Sequence, residues 1–273
     1  MSFTDLHCHV LPGFDDGAED EGQFLEMAAV AVAGGTSRMV ATPHYDLESS
    51  VIELDNVSRA CDEHGKLLHG RNMSLELVPG AEVRVNAGLF VLAKDNDKLA
   101  RLGIGRARKF ILVDLPLFDL PVATADVLFQ IQLSGLTPIL AHPERNRYLV
   151  RHPAIVMEMV GRGIELQVNS GSLEGIYGRH AKQSAVSLIK EGAARLIASD
   201  AHQPTGRGPD LTKAAAIIER QFGPDATRIM LQENPDRVIN GETLQAAVNG
   251  GVKSSRKRFF SNLFLGDGNW IIG

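Results

Sequence analysis

Short apolar runs alternate along the chain with longer stretches in which apolar positions recur at helical spacing. Phe3 to Val10, Arg38 to Thr42, Leu75 to Val78, Phe110 to Val113, Pro138 to Ala141, Ile164 to Val168 and Leu196 to Ser199 predict strands. Between them the pattern predicts helices over Glu21 to Ala33, about Val51 to His69, Val122 to Ser134, Ala154 to Arg162, Gln183 to Glu191 and Leu211 to Gln221. In the first helix Phe24, Met27, Ala28, Ala31 and Val32 make the apolar face, and Gly34-Gly35 stops it. Residues 83–105 are less regular: Leu89 to Ala93 predicts a helical turn, and Lys94 to Lys98 a charged surface loop.

Strands that alternate with helices call for parallel pairing and right-handed crossovers. Runs such as Phe110-Ile111-Leu112-Val113 are apolar throughout, as expected of strands covered on both faces. No glycine-rich nucleotide fingerprint follows the first strand, which disfavours an open doubly wound sheet. The expected fold is therefore α/β, a distorted (β/α)7 TIM-like barrel. A chain of 273 residues has room for one such barrel, expected over residues 1–250, with a basic and aromatic tail at 251–273.

Composition narrows the function. The hydrophobic share of 44% is ordinary for a globular protein, and a net charge of −5 argues against a broad nucleic-acid-binding face. Neither a leader segment nor an apolar stretch of membrane-spanning length is read, so a cytoplasmic protein is expected. Cys8 and Cys61 give no disulfide framework.

The chemistry gathers where the predicted strands end. His7 and His9 fall on one face of the first strand and Cys8 on the other, so packing is the role expected of Cys8. Later strands end in His44, Glu82, Asp114, His142, Asn169 and Asp200/His202. Active sites of α/β barrels lie at that face, and independent core histidines have no reason to share one register. His64, His69, His152 and His180 fall outside it and are expected to be structural or exposed, with His64 and His69 facing solvent from the second helix. The set holds five imidazoles and at least four carboxylates if one of Asp15 and Asp16 is counted, more than a single zinc site needs. Nitrogen and oxygen donors without thiolate suit two or three ions of manganese, iron or zinc, with a carboxylate such as Glu82 able to bridge. Such a cluster acidifies water and clamps phosphoryl oxygens. Arg145 and Arg207, in the loops after His142 and His202, add forks that match phosphate. Neither cysteine is followed by arginine six residues on, which excludes a cysteine-nucleophile phosphatase of that spacing.

The wording DLHCHVLPGFDDGAED, with ATPHY, PGAEVRV, ILVDLP, ILAHPERN, VNSGSL and ASDAH, resembles the polymerase and histidinol phosphatase (PHP) superfamily. Within it, the motifs are similar to the manganese-dependent protein-tyrosine phosphatases of bacterial capsule and exopolysaccharide operons, over about residues 3–240. The resemblance implies a PHP-type barrel and a three-ion site held by His7, His9, Asp16, His44, Glu82, Asp114, His142, Asp200 and His202, with Glu82 bridging. It implies that Arg145 and Arg207 hold the phosphate, and that the substrate is the phosphotyrosine tail of an autophosphorylating bacterial tyrosine kinase. Asp114 stands where that branch more often has glutamate, and the shorter arm is expected to shift one metal or lower its occupancy.

The run Lys253 to Arg258, followed by Phe259, Phe260, Leu263, Phe264 and Leu265, would be amphipathic on a helix, which suggests a peripheral membrane contact. A disordered tail, or one docked on a neighbouring subunit, is the alternative. A histidinol-phosphate phosphatase or other small-molecule phosphatase, a metal-dependent amidohydrolase, a nuclease and a non-catalytic metal-binding regulatory subunit are the rival functions that the donor set leaves open.

Overall fold

The computed structural model describes residues 2–47 and 54–249. Its strand segments are β1 (Phe3–Cys8), β2 (Thr36–Ala41), β3 (His44–Tyr45), β4 (Glu76–Pro79), β5 (Glu82–Arg84), β6 (Phe110–Asp114), β7 (Thr137–Ala141), β8 (Glu165–Asn169) and β9 (Ala194–Ala198). All pair in parallel, in the orders β1-β2-β4 and β3-β5-β6-β7-β8-β9. The two sheets are one wall with two kinks. Between β2 and β3 lies Pro43, which has no N–H to offer a ladder, and between β4 and β5 lies Gly80-Ala81. Bonds from Gly80 N to Ala41 O and from Glu82 N to Pro43 O carry the pairing across both breaks. The segments therefore make the seven staves that the apolar runs predict.

The wall closes between β9 and β1. Asp200 N donates to His7 O at 2.8 Å, His9 N donates to Ala201 O at 2.9 Å, and Cys8 pairs with Ala201. The distortion lies opposite, where Ile104 bonds Phe110 and Gly105 bonds Pro79, so a loop occupies the gap between β4 and β6. Leu6, Val40, Val78, Leu112, Ile139 and Leu196 fill the lumen, and Val238 and Leu244 close it below. The opposite faces of the staves pack on the helices, with Val113, Leu140, Leu166, Val168 and Ile197 in the largest apolar cluster.

The first helix spans Glu21–Ala33 and is capped by Asp20, which accepts from Gln23 N. The second is described from Leu54 to Gly70; residues 51–53, where it was expected to begin, lie outside the described residues. Three expectations need correction. Lys94 to Lys98 is not a loop: Asp95 accepts from Lys98 N and starts a short helix at Asn96–Arg101. The helix expected from Gln183 begins at Gly178, because its exposed opening turn, Arg179 and His180, carries no apolar signal. His64 is half-buried, with its ring edge-on to Phe24 at 4.7 Å. Among the described residues no helix is long and apolar enough to cross a membrane. The basic and aromatic tail at 251–273 lies outside the described residues.

Candidate metal centre

Local backbone irregularities aim the side chains into the barrel mouth. Between the pairs Asp5–Met39 and Cys8–Ala41 the register of β1 slips, so β1 spends one residue more than β2. Leu6 consequently packs in the lumen while His7 and His9 reach the mouth, and Cys8 packs outward against the first helix's cluster. After β7 and β9, His142 and Asp200 adopt left-handed backbone angles, φ 32° and 54°. Such angles cost on the order of 1–3 kcal/mol each in a non-glycine residue and persist where the surroundings over-determine them.

The side chains so delivered form three overlapping groups whose donor atoms lie within 4.8 Å of one another: His9, Asp16, His44 and His202; His7, Glu82 and His142; and His7, His9 and Asp200. Glu82 is the central carboxylate. Its Oε1 lies 3.0 Å from His142 Nε2 and 3.4 Å from His7 Nε2, while its Oε2 lies 2.7 Å from His44 Nδ1 and 3.4 Å from His9 Nε2. The two acidic neighbours Asp15 and Asp16 divide the work. Asp15 binds His9 Nδ1 at 2.6 Å and accepts from His44 N, so it orients the imidazole from behind. Asp16 instead faces the mouth, with Oδ1 3.3 Å from both His44 Nε2 and His202 Nε2.

Electrostatically the cluster is a set of buried charges in search of balance. Burial opposes ionisation of Asp15, but its bond to His9 and the charge there win and hold it at about 2. Burial likewise opposes charge on His142, yet the bond to Glu82 and the nearby Asp114 and Asp200 raise it to about 9. His202 goes the other way, to about 4, through burial and repulsion from His9.

The donors fit a cation. His202 Nδ1 faces the backbone oxygen of Asp200 at 3.0 Å, and a carbonyl only accepts, so the neutral ring keeps its proton there. Its Nε2 lone pair then confronts Asp16 Oδ1, an arrangement that is repulsive until a positive centre lies between them. Glu82 Oε2 is fully buried and makes no hydrogen bond, because His44 Nδ1, although 2.7 Å away, is not aligned to donate. An orphaned buried carboxylate oxygen is costly, and coordination to a metal satisfies it.

Arg145 and Arg207 converge on the same mouth by gripping Asp200: Arg145 Nη1 donates to Oδ2 at 2.6 Å, and Arg207 Nη2 donates to Oδ1 at 2.9 Å. The Arg145 guanidinium also stacks 4.1 Å above the Tyr177 ring. Beside Arg207 and Tyr177 a cleft of about 290 Å³ opens between Ser170, Glu174 and Lys213.

Eight of the nine expected ligands therefore share the donor groups. Asp114 stands apart: Oδ1 is 3.7 Å from His142 Nε2, and Oδ2 is held by Arg84 at 2.8 Å. Sequence reasoning missed Arg84, Tyr177, Gln167 and the orienting role of Asp15. For Gln167 a signal existed, since it and Asn169 are polar residues at alternate positions of a wholly buried strand. His69, His152 and His180 are exposed, as expected.

The family model for capsular polysaccharide synthesis proteins CpsB/CapC matches residues 3–240. The chain belongs to the CpsB/CapC family. Tyrosine-protein phosphatase YwqE of Bacillus subtilis is 33% identical over 240 residues, 88% of this chain and 92% of that protein. The crystal structures of YwqE from Bacillus subtilis and CpsB from Streptococcus pneumoniae, described as unique metal-dependent tyrosine phosphatases, give a match at TM-score 0.81 and 31% identity, covering 92% of this chain and 99% of the matched one. Histidinol phosphate phosphatase from Lactococcus lactis, solved with zinc, L-histidinol and phosphate, matches at TM-score 0.52 and 14% identity over 80% of this chain and 93% of its own. At that identity the likeness concerns the fold, and it agrees with a PHP-type barrel.

Proposed function

We infer that the chain is a metal-dependent protein-tyrosine phosphatase, as its CpsB/CapC relatives are named. The observation that carries this reading is the meeting of eight metal-capable side chains with two arginines in one barrel mouth. His7, His9, Asp16, His44, Glu82, His142, Asp200 and His202 would hold two or three ions, manganese in our reading, with iron or zinc as alternatives. Asp114 would join them from the rim beside His142. Bound ions would supply a water nucleophile near neutral pH and polarise the phosphoryl oxygens.

The chain's own residues do the rest. Glu82 reaches two groups of imidazoles with separate oxygens, the disposition a bridging carboxylate needs. Arg145 and Arg207 stay charged at every working pH, hold the phosphate and balance charge spread over its equatorial oxygens during in-line attack. Tyr177 fixes the plane of the Arg145 fork. No side-chain nucleophile is required, and both cysteines are buried away from the mouth. The substrate in this reading is the phosphotyrosine tail of a bacterial tyrosine kinase that governs capsule or exopolysaccharide synthesis, met in the cytoplasm. Residues 1–250 act as the phosphatase domain.

The test is phosphate release, with manganese, from a tyrosine-phosphorylated peptide and from histidinol phosphate, by wild type and His44→Ala. Peptide turnover that His44→Ala abolishes is expected. Preference for histidinol phosphate would move the assignment to a small-molecule phosphatase, and metal binding without turnover of either would favour a regulatory subunit.

A further inference from the structure

Behind the metal-facing side chains runs a polar chain that the activity alone does not require. Asp200 Oδ2 accepts from Asn169 Nδ2 at 2.7 Å. Asn169 Oδ1 accepts from Gln167 Nε2 at 2.9 Å, and Gln167 Oε1 meets His7 Nδ1 at 3.0 Å. Asn169, Gln167 and His7 are all fully buried, so solvent cannot stand in for any member. β8 builds the chain by alternation, which puts Gln167 and Asn169 on one face of the strand, toward the site.

The sense of every bond follows from one end. Asp200 lies between the Arg145 and Arg207 guanidiniums, both of which donate to it, so its carboxylate only accepts. Asn169 must therefore present its NH2 to Asp200, which turns its carbonyl oxygen to Gln167. Gln167 in turn must give that oxygen its NH2 and keep its own carbonyl for His7. A carbonyl facing Nδ1 demands a proton there, and in the neutral ring this leaves the Nε2 lone pair of His7 to face Glu82, Asp200 and His9.

We propose that Gln167 and Asn169 are positioning residues that fix His7 as the Nδ1–H tautomer, transmitting to it the orientation of the arginine-bound Asp200. The pair thus ties the phosphate-gripping side of the mouth to a metal-gripping imidazole 160 residues from Gln167 in sequence. This rests on the reading of His7 as a metal ligand, but the tautomer itself is a property of the metal-free chain.

Long-range proton–nitrogen correlation spectra of the metal-free chain read the tautomer, and calorimetric titration with zinc alone reads the affinity. Wild type is expected to carry the His7 proton on Nδ1. Gln167→Leu, close in volume but without an acceptor, is expected to lose that preference and to bind zinc 10–100-fold more weakly. Gln167→Glu restores the acceptor for His7 but not the donor to Asn169, and is expected to recover the tautomer with only part of the affinity. A His7 proton on Nε2 in wild type would overturn the proposal without any variant having to fold. So would Gln167→Leu with unchanged tautomer and unchanged affinity. Failure of the wild-type chain to bind zinc or manganese would instead sink the phosphatase reading, with the tautomer still measurable.

Discussion

Gly17 follows the two aspartates of the opening loop, and its Cα lies almost against the strand it caps. A Cβ placed there would sit 2.0 Å from His9 O, 2.5 Å from His9 Cβ and 2.7 Å from His9 C, where real Cβ contacts stay above 3.0 Å. The obstacle is largely backbone, so Gly17→Ala must push the loop and the end of β1 apart by about 1 Å. That separation strains the Ala18 N to His9 O bond of 3.1 Å and, more seriously, the Asp15 to His9 Nδ1 bond of 2.6 Å. A hydrogen bond to a charged group contributes roughly 1.5–3 kcal/mol and a neutral one about 1, so the expected loss is about 3 kcal/mol. In a chain of this size that is a fall in melting temperature of about 6–12 °C. If His9 is a ligand as proposed, losing the group that orients its imidazole should also weaken metal binding about 10–100-fold. Thermal denaturation of the metal-free chain and zinc titration measure the two effects separately. A melting point within about 2 °C of wild type, with affinity unchanged, would refute the claim that this close approach holds the site together.

The division of labour between the adjacent aspartates predicts different failures. Asp16→Ala should lower the bound metal per chain in elemental analysis, whereas Asp15→Asn should keep the stoichiometry at saturation and weaken affinity about 10–100-fold; identical behaviour would reject the distinction. Tyr177→Ala removes the platform under Arg145, a stacking contact of about 0.5–2 kcal/mol, so KM for the phosphopeptide should rise a few-fold to about thirtyfold with kcat less affected. Burial pushes the Cys61 thiol up to about 12 and raises the Cys8 thiol well above the usual thiol range, so at pH 8 both are neutral. Native protein should then leave an aromatic disulfide reagent unreduced, and unfolded protein should release two equivalents.

What was legible in the sequence and what was not divide along a physical line. Strands, crossover helices and the ring of metal-capable side chains at the strand ends are one-dimensional patterns, because a parallel barrel puts the end of every stave on the same rim. The bulge in β1 is invisible to strict alternation, yet it lets Leu6 serve the lumen and His7 the mouth. Orienting partners are harder still, since they come from whichever stave closes beside the ligand: Asp15 behind His9 is local, whereas Gln167 reaches His7 only because the barrel curves. Asp114 shows the same limit. Its place at a strand end makes it a candidate ligand, but only the paired register of β5 and β6, Arg84 beside Asp114, reveals the guanidinium that holds one of its oxygens. A carboxylate divided between an arginine and a metal-facing histidine is a weaker donor than one committed to the cluster. Asp114→Glu, with one more methylene of reach, should therefore raise metal occupancy at limiting metal, and an occupancy equal to wild type would show that Arg84 rather than arm length sets the donor's share.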